Sequence, residues 1–281
     1  MLQQQAEQLS DEQIELELLK LEKHLEYEDE REDFKSYCQN SDLFPEESPA
    51  KHHAFMCEAL QLVEQGEIKR LMVLMPPGHG KSVYCSVRFP SWYLGRHPTH
   101  HLVHATYGGE LAKLNGRKVR NLLLSANYQE VFRNVTIAED FKGRGDWATN
   151  QGGQYYAIGV GGGVTGRRAH GALLDDLVKD RKEADSQLIR DNIWDWYKTA
   201  LRTRLRKDGW IVFVNTRLPR HPGGSVARQG ALQHVQAGDR GRLQGTPARS
   251  PADREESLGH QPDSGIAQGW PASEGHAARS L

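Results

Sequence analysis

LMVLMPPGHGKS, residues 71–82, decides how the rest of the chain is read. Its first five residues form a short, continuous apolar run, the pattern of a strand buried on both faces of a parallel sheet. A turn containing Gly78 and Gly80 follows at once, and a helix start follows the turn. Backbone N–H groups around Gly78 to Lys81 would converge there on phosphate oxygens, with the Lys81 ammonium neutralising their charge and the Ser82 hydroxyl coordinating Mg²⁺. Pro77, Gly78, His79, Gly80, Lys81 and Ser82 are therefore the candidate nucleotide-binding residues, and ATP and Mg²⁺ the ligands they imply. The departure is Met75, where the pattern G-x-x-x-x-G-K-[ST] has glycine; Pro76 and Pro77 preset a different approach into the loop. Pro90 falls inside the expected helix and predicts that it is short or kinked.

A phosphate loop needs a second group to hold the metal, normally an aspartate at the end of a neighbouring buried strand. GALLDDLVKD (171–180) supplies it, with Asp175 and Asp176 closing an apolar run. Asp175 is expected to face Mg²⁺, and Asp176 to orient or deprotonate an attacking water; taken alone, such a pair also suits a solvated turn. In VNTR (214–217), Thr216 and Arg217 would lie beside the acidic strand's end, either sensing the γ-phosphate or simply ending a strand. IGVGGGVTGRR (158–168) puts Arg167 and Arg168 after a glycine-rich stretch, as a phosphate contact or as the basic edge of a surface loop. Lys198, Arg202, Arg204, Arg206 and Lys207 form the densest positive cluster, suited to a DNA backbone without base reading or to a solvated helix end.

Outward from these motifs, HLVHAT (101–106), AHGALL (169–174) and WIVFVN (210–215) repeat the buried-strand signal, and residues 108–124 and 188–205 carry helical periodicity. Strands alternating with helices predict an α/β fold, a mostly parallel sheet flanked by helices; the pattern does not order the strands. Ser10 and Gln13 form a capping box for a helix over 11–32, whose stripe Ile14, Leu18, Leu21 and Leu25 either packs on the main domain or binds a partner subunit. Residues 38–50 are loop-like and 52–65 helical. The expected division is an N-terminal helical segment (1–44), a P-loop domain (45–221) and a tail (222–281) too poor in large apolar residues to build a core, hence disordered.

Composition adds boundaries. In 281 residues, 36 Lys and Arg balance 37 Asp and Glu, so any polyanion contact must be local. Three cysteines without metal-ligand spacing point to a reducing compartment, with cytoplasm the default. No signal peptide or apolar run of membrane-crossing length is present, so no membrane partner is expected.

Together these stretches resemble the ATPase domain of the terminase large subunit, the DNA-packaging motor of tailed bacteriophages and prophages. The resemblance runs from about residue 45 to 218 through His52–His53, GEIKRLMVLMPPGHGKS (66–82), ATYGGELAKLNGRKVRNLL (105–123), GGQYYAIGVGGGVTGRRAHGALLDDLVKD (152–180), IWDWYKTALRTRL (193–205) and IVFVNTR (211–217). It implies a P-loop NTPase of the ASCE type, with Lys81 and Ser82 in the phosphate-loop roles, Asp175 on the metal and Asp176 as the catalytic acidic residue. Thr216 and Arg217 match the motif that couples hydrolysis to DNA movement. The implied activity is ATP hydrolysis driving double-stranded DNA into a procapsid, in the bacterial host cytoplasm. The implied partners are a small terminase subunit, a portal and further copies in a ring, where a neighbour's arginine completes the site. After Arg217 the family continues with Trp-His and an acidic segment, whereas this chain reads LPRHPGG. No carboxylate cluster for the family's nuclease domain follows, so nuclease activity is not expected, and a disrupted reading frame after Arg217 would explain both departures. A helicase- or clamp-loader-like ATPase, and an inactive nucleotide- or DNA-binding remnant, are the competing expectations.

Overall fold

The ends of three parallel strands, at Met75, Asp175 and Thr216, meet on one edge of a single sheet. This arrangement is seen in a computed structural model that describes residues 10–45, 49–143, 145–164 and 166–216, together with the backbone of 233–236. Arg217, at the end of the expected coupling motif, lies outside the described residues, as does the expected tail (222–281) apart from 233–236.

The chain opens with α1 (Asp11–Glu32), α2 (Phe34–Gln39) and α3 (Lys51–Glu64), then β1 (Arg70–Met75). Helix α4 starts at Lys81 and runs as Lys81–Val83, a π-helical turn Tyr84–Arg88 and Phe89–Arg96. There follow β2 (His101–Thr106), α5 (Gly109–Leu123), α6 (Ala126–Val131), β3 (Ile137–Lys142), β4 (Asp146–Thr149), β5 (Gln154–Gly159) and β6 (Ala169–Asp175). After α7 (Arg181–Asp185), helix α8 (Gln187–Trp196) continues through a π turn at Tyr197–Leu201 and a 3-10 turn at Arg202–Arg204 into β7 (Leu205–Thr216). A short β8 (Gln233–Gln236) adds a described strand within the stretch expected to be disordered.

The sheet order is β3-β4-β5-β2-β6-β7-β1-β8, antiparallel at β3-β4-β5 and parallel from β5 to β8. Strand β7 lies between β1 and β6, so the acidic strand is one place removed from β1 rather than its neighbour. Side chains alternate between two cores, as the two-residue strand repeat requires. Leu71, Val73, Leu102, Leu173, Val212 and Val214 pack with α2 to α6, whereas Met72, Val103, Ala172, Leu174, Ile211 and Phe213 pack with Ile193, Trp196 and Leu201 of α8 and its extension.

Helix α4 does not break at Pro90. The Phe89 N–H reaches back to the Tyr84 carbonyl, five residues earlier, and this wide turn falls where the proline ring would crowd the preceding carbonyl and leave it without a donor. Helix α1 has the expected capping box: Ser10 N–H donates to Gln13 Oε1 at 2.9 Å and Gln13 N–H to Ser10 Oγ at 3.3 Å. Its apolar stripe does not pack on the main domain, since Ile14, Leu18, Leu21 and Leu25 are 41 to 56% exposed. The helix is held instead by its last turns, where the Glu30 carbonyl accepts from Trp92 Nε1 at 3.0 Å and Arg31 Nε donates to the Val131 carbonyl at 2.6 Å. Residues 38 and 39, read as loop, close α2, which buries Phe34, Tyr37 and Cys38 completely. Among the described residues no helix is long and apolar enough to cross a membrane.

Candidate active site

The turn after β1 is built by two glycines in the left-handed region, Gly78 at φ 75° and Gly80 at φ 71°. That conformation strains any residue with a Cβ. At Gly80 a Cβ would also stand 2.8 Å from His53 Nε2, whereas at Gly78 it would meet nothing within 4 Å. One side of the loop is thus open and the other is backed by α3. The His53 ring accepts from the Ala50 N–H at Nδ1 (3.1 Å), donates from Nε2 to the His79 carbonyl (3.2 Å), and stacks on Tyr84 at 4.3 Å. His79 donates from Nδ1 to the Pro77 carbonyl at 2.9 Å. These bonds tie the loop to α3 and to the first turns of α4.

Lys81, only 9% exposed, extends its ammonium to within 3.5 Å of Asp176 Oδ2. One residue on, Ser82 Oγ donates to Asp175 Oδ1 at 3.2 Å, and one turn later Ser86 Oγ donates to Asp175 Oδ2 at 2.8 Å. Helical spacing of four places both hydroxyls on one face of α4, so the carboxylate is gripped through both oxygens. Asp175 is 2% exposed. Burial, reinforced by the Asp176 charge, pushes its pKa up to about 6, against the two serine hydrogen bonds and Lys81, which pull it down.

Asp176 has φ 45°, alone in the left-handed region among the described non-glycine residues. Its backbone is held on both sides: its N–H donates to the Val214 carbonyl and its carbonyl accepts from the Tyr107 N–H, each at 3.0 Å. Its Oδ1 accepts from the Thr216 N–H at 3.3 Å and faces Thr216 Oγ1 at 3.5 Å. A strained backbone fixed in this way aims one carboxylate at Lys81 and at the end of β7 together.

The donors gathered here are hard oxygens: the Ser82 hydroxyl and the carboxylates of Asp175 and Asp176. Among the described residues no group of three His, Cys, Asp or Glu side chains could hold a metal by itself. Mg²⁺ does not need one, because it is typically bound through one or two carboxylates with phosphate oxygens and water completing its shell. The residues present therefore fit a Mg²⁺ ion whose remaining ligands would come from phosphate oxygens and water.

The structure does not bring the predicted basic residues to this edge. Arg167, in the connection between β5 and β6, turns toward the sheet, with Nη1 3.1 Å from Asp146 Oδ2 and its guanidinium 4.1 Å above the Tyr156 ring. Arg168 and Arg206 line a cavity at the opposite edge, where β6 and β7 begin. Arg202 is exposed and Arg204 half-buried in the turn that leads into β7. Thr216 lies beside Asp176, as its position at a strand end predicts, and Arg217 falls outside the described residues. Sequence reasoning missed Ser86 as the second hydroxyl on Asp175 and His53 as a support of the loop. The first was signalled by its spacing of four from Ser82, the second by the His52–His53 pair at the start of α3.

Among curated proteins, none matches this chain. The family model of the terminase large subunit, T4likevirus-type, N-terminal, matches residues 72–221, from β1 through β6 and β7, and so takes in the loop, both aspartates and Thr216. With more than half of its length matched, this chain belongs to the terminase large subunit family.

Proposed function

We propose that this chain is the ATP-hydrolysing motor of a phage DNA-packaging machine, acting on double-stranded DNA. The observation that carries the reading is the convergence of Lys81, Ser82, Asp175 and Asp176 at one edge of the sheet, within hydrogen-bond or ion-pair reach of one another. Pro77, Gly78, His79 and Gly80 present the loop's backbone to the phosphates, and Lys81 leaves Asp176 to neutralise them. Ser82 and Asp175 hold Mg²⁺, which when bound spreads the negative charge of the transferring phosphoryl group. Asp176, released from the ammonium, accepts or orients the proton of the attacking water, so that ATP and water yield ADP and phosphate. Thr216, bonded to the same carboxylate, senses that change at the end of β7 and, with Arg217, passes it toward DNA. The insertion of β7 between β1 and β6 supports the ASCE type of P-loop fold.

In this reading Arg167, Arg168, Arg202, Arg204 and Arg206 are candidate contacts to DNA phosphates. A small terminase subunit, a portal with its procapsid and further copies in a ring are the partners. The test is Mg²⁺-dependent phosphate release by the purified chain and its Lys81→Ala variant, with and without linear duplex DNA. The expected outcome is turnover that duplex DNA raises and Lys81→Ala lowers by about 10²-fold or more. Equal rates in the two proteins would overturn the assignment.

A further inference from the structure

The edge of the sheet where the parallel strands begin holds a cavity of about 730 Å³, bounded by the ends of α3 and α4 and the starts of β6 and β7. One wall is aromatic. His100 and His170 stack face to face at 3.9 Å with 2° between their planes, His97 extends the stack at 4.7 Å, and Trp210, 4% exposed, backs it. His170 accepts from the His101 N–H at Nδ1 (2.8 Å), which leaves Nε2 as its donor.

The charges in this cavity do not balance. Its carboxylates are already paired: Glu64 takes Arg96 Nε at 2.9 Å and His97 Nε2 at 2.7 Å, and Asp208 takes Lys69 at 2.9 Å. Arg168, Arg206 and Lys207 also line the cavity, and none of them has an ion-pair partner among the described residues. Three exposed cations, Arg168 just before β6 and Arg206 and Lys207 at the start of β7, thus share one cavity with an imidazole donor, and against them stand only Glu64, engaged by Arg96 and His97, and Asp208, which is held by Lys69 and also feels Lys207.

We propose that this cavity binds a phosphate group, as a site separate from the loop at 76–82. Arg168, Arg206 and Lys207 supply the charge and His170 Nε2–H one hydrogen bond. The group comes either from the phosphodiester backbone of DNA, a source that rests on the motor reading above, or from free phosphate, which does not.

The test uses the full chain, its Arg168→Gln/Arg206→Gln variant, and Arg117→Gln/Lys118→Gln on α5 as a control with the same loss of charge. Two probes are titrated without ATP, a fluorescently labelled linear duplex at several salt concentrations and inorganic phosphate by calorimetry. Loss of two phosphate contacts should weaken duplex binding about tenfold or more at low salt and flatten the log–log salt slope by about 2 units, with the control close to wild type. That result assigns the site to the DNA backbone. Weakened phosphate binding with unchanged duplex binding supports the site with free phosphate as its source. Wild-type binding of both probes by Arg168→Gln/Arg206→Gln, or equal losses in the control, overturns the proposal. Neither readout needs hydrolysis, so a chain without ATPase activity would remove the motor reading and leave this one standing.

Discussion

The two edges of one sheet handle charge in opposite ways. Where the strands end, the three charged groups described at the loop have partners: Lys81 and Asp176 with each other, and Asp175 with Ser82 and Ser86. Where they begin, the carboxylates are consumed by Arg96, His97 and Lys69, and Arg168, Arg206 and Lys207 remain over a stack of imidazoles. A pre-paired site spends no energy on isolated buried charge while it waits, and must exchange partners when a ligand arrives. Exposed cations wait in water at little cost and gain when an anion displaces their counterions. On the proposed reading the first edge serves a reaction and the second adhesion. Substitutions should therefore act mainly on turnover at one and on salt-dependent binding at the other.

The largest effect expected is that of Asp175→Asn. An amide keeps the shape but donates where Ser82 and Ser86 also donate, and it removes the charge that the proposed Mg²⁺ site would use. ATPase activity should fall by about 10²- to 10³-fold, with duplex binding at the opposite edge retained. Steady-state rates and anisotropy on the same preparation check it, and joint loss of both would dissolve the distinction between the edges.

Next comes Gly80→Ala. The left-handed backbone and the 2.8 Å approach to His53 Nε2 act together, and His53 is fixed by bonds at both ring nitrogens. The strain is about 1 kcal/mol or more, placed in the loop itself. ATP affinity should fall about tenfold, with a smaller loss of thermal stability. Removing the His53 ring in His53→Ala should restore part of the affinity if the close approach, rather than the backbone alone, is responsible.

Ser86→Ala is milder, because Ser82 still holds Asp175. Freed at Oδ2, the carboxylate should need several-fold more Mg²⁺ for half-maximal activity. Ser86→Thr, which keeps the hydroxyl, should recover most of that loss.

The first edge was much more legible in the sequence than the second, for a physical reason. Strand β1, the glycine turn and the start of α4 are contiguous, so Leu71 to Ser82 announce a loop without knowledge of the fold. Asp175 and Asp176 could be joined to it because an apolar run ending in acid has few other uses beside such a loop. That β7 stands between β1 and β6 could not be read, since buried strands carry the same Val-, Ile- and Leu-rich signature whatever their neighbours. Strands β3, β4 and β5 passed unnoticed: IAEDFK is interrupted by acidic residues, DWAT has four residues, and QYYAIG carries aromatic rather than Val-, Ile- and Leu-rich character. The second edge draws Glu64, His97, His100, Arg168, His170 and Arg206 from segments far apart in the chain. Only the sheet order brings them together, so Arg168 and Arg206 could be marked as basic but not as a pair. The stripe of α1 misled for a related reason: periodicity shows that a face is apolar, not whether anything covers it.

The smallest effect is also the most discriminating, because acid should pull the two edges in opposite directions. At the strand starts, burial first, then neighbouring histidines and Arg206, lower the pKa of His100 and His170 to about 4; an unfolded histidine titrates near 6.5. Between those values the unfolded chain binds more protons, so these residues contribute stability above about pH 6.5 that is lost as pH falls toward 4. Buried His104, lowered to about 3, acts with the same sign. At the strand ends Asp175 is raised to about 6 from 3.8, so its folded form binds more protons over that interval and its contribution, full below 3.8, is lost as pH rises through 6. Urea midpoints measured with EDTA from pH 6.5 to 4 should therefore fall on acidification, with three histidines outweighing one carboxylate. His100→Gln/His170→Gln should flatten that fall and Asp175→Asn should steepen it. Slopes changed in the same direction by both variants would show that the edges do not differ in charge as described.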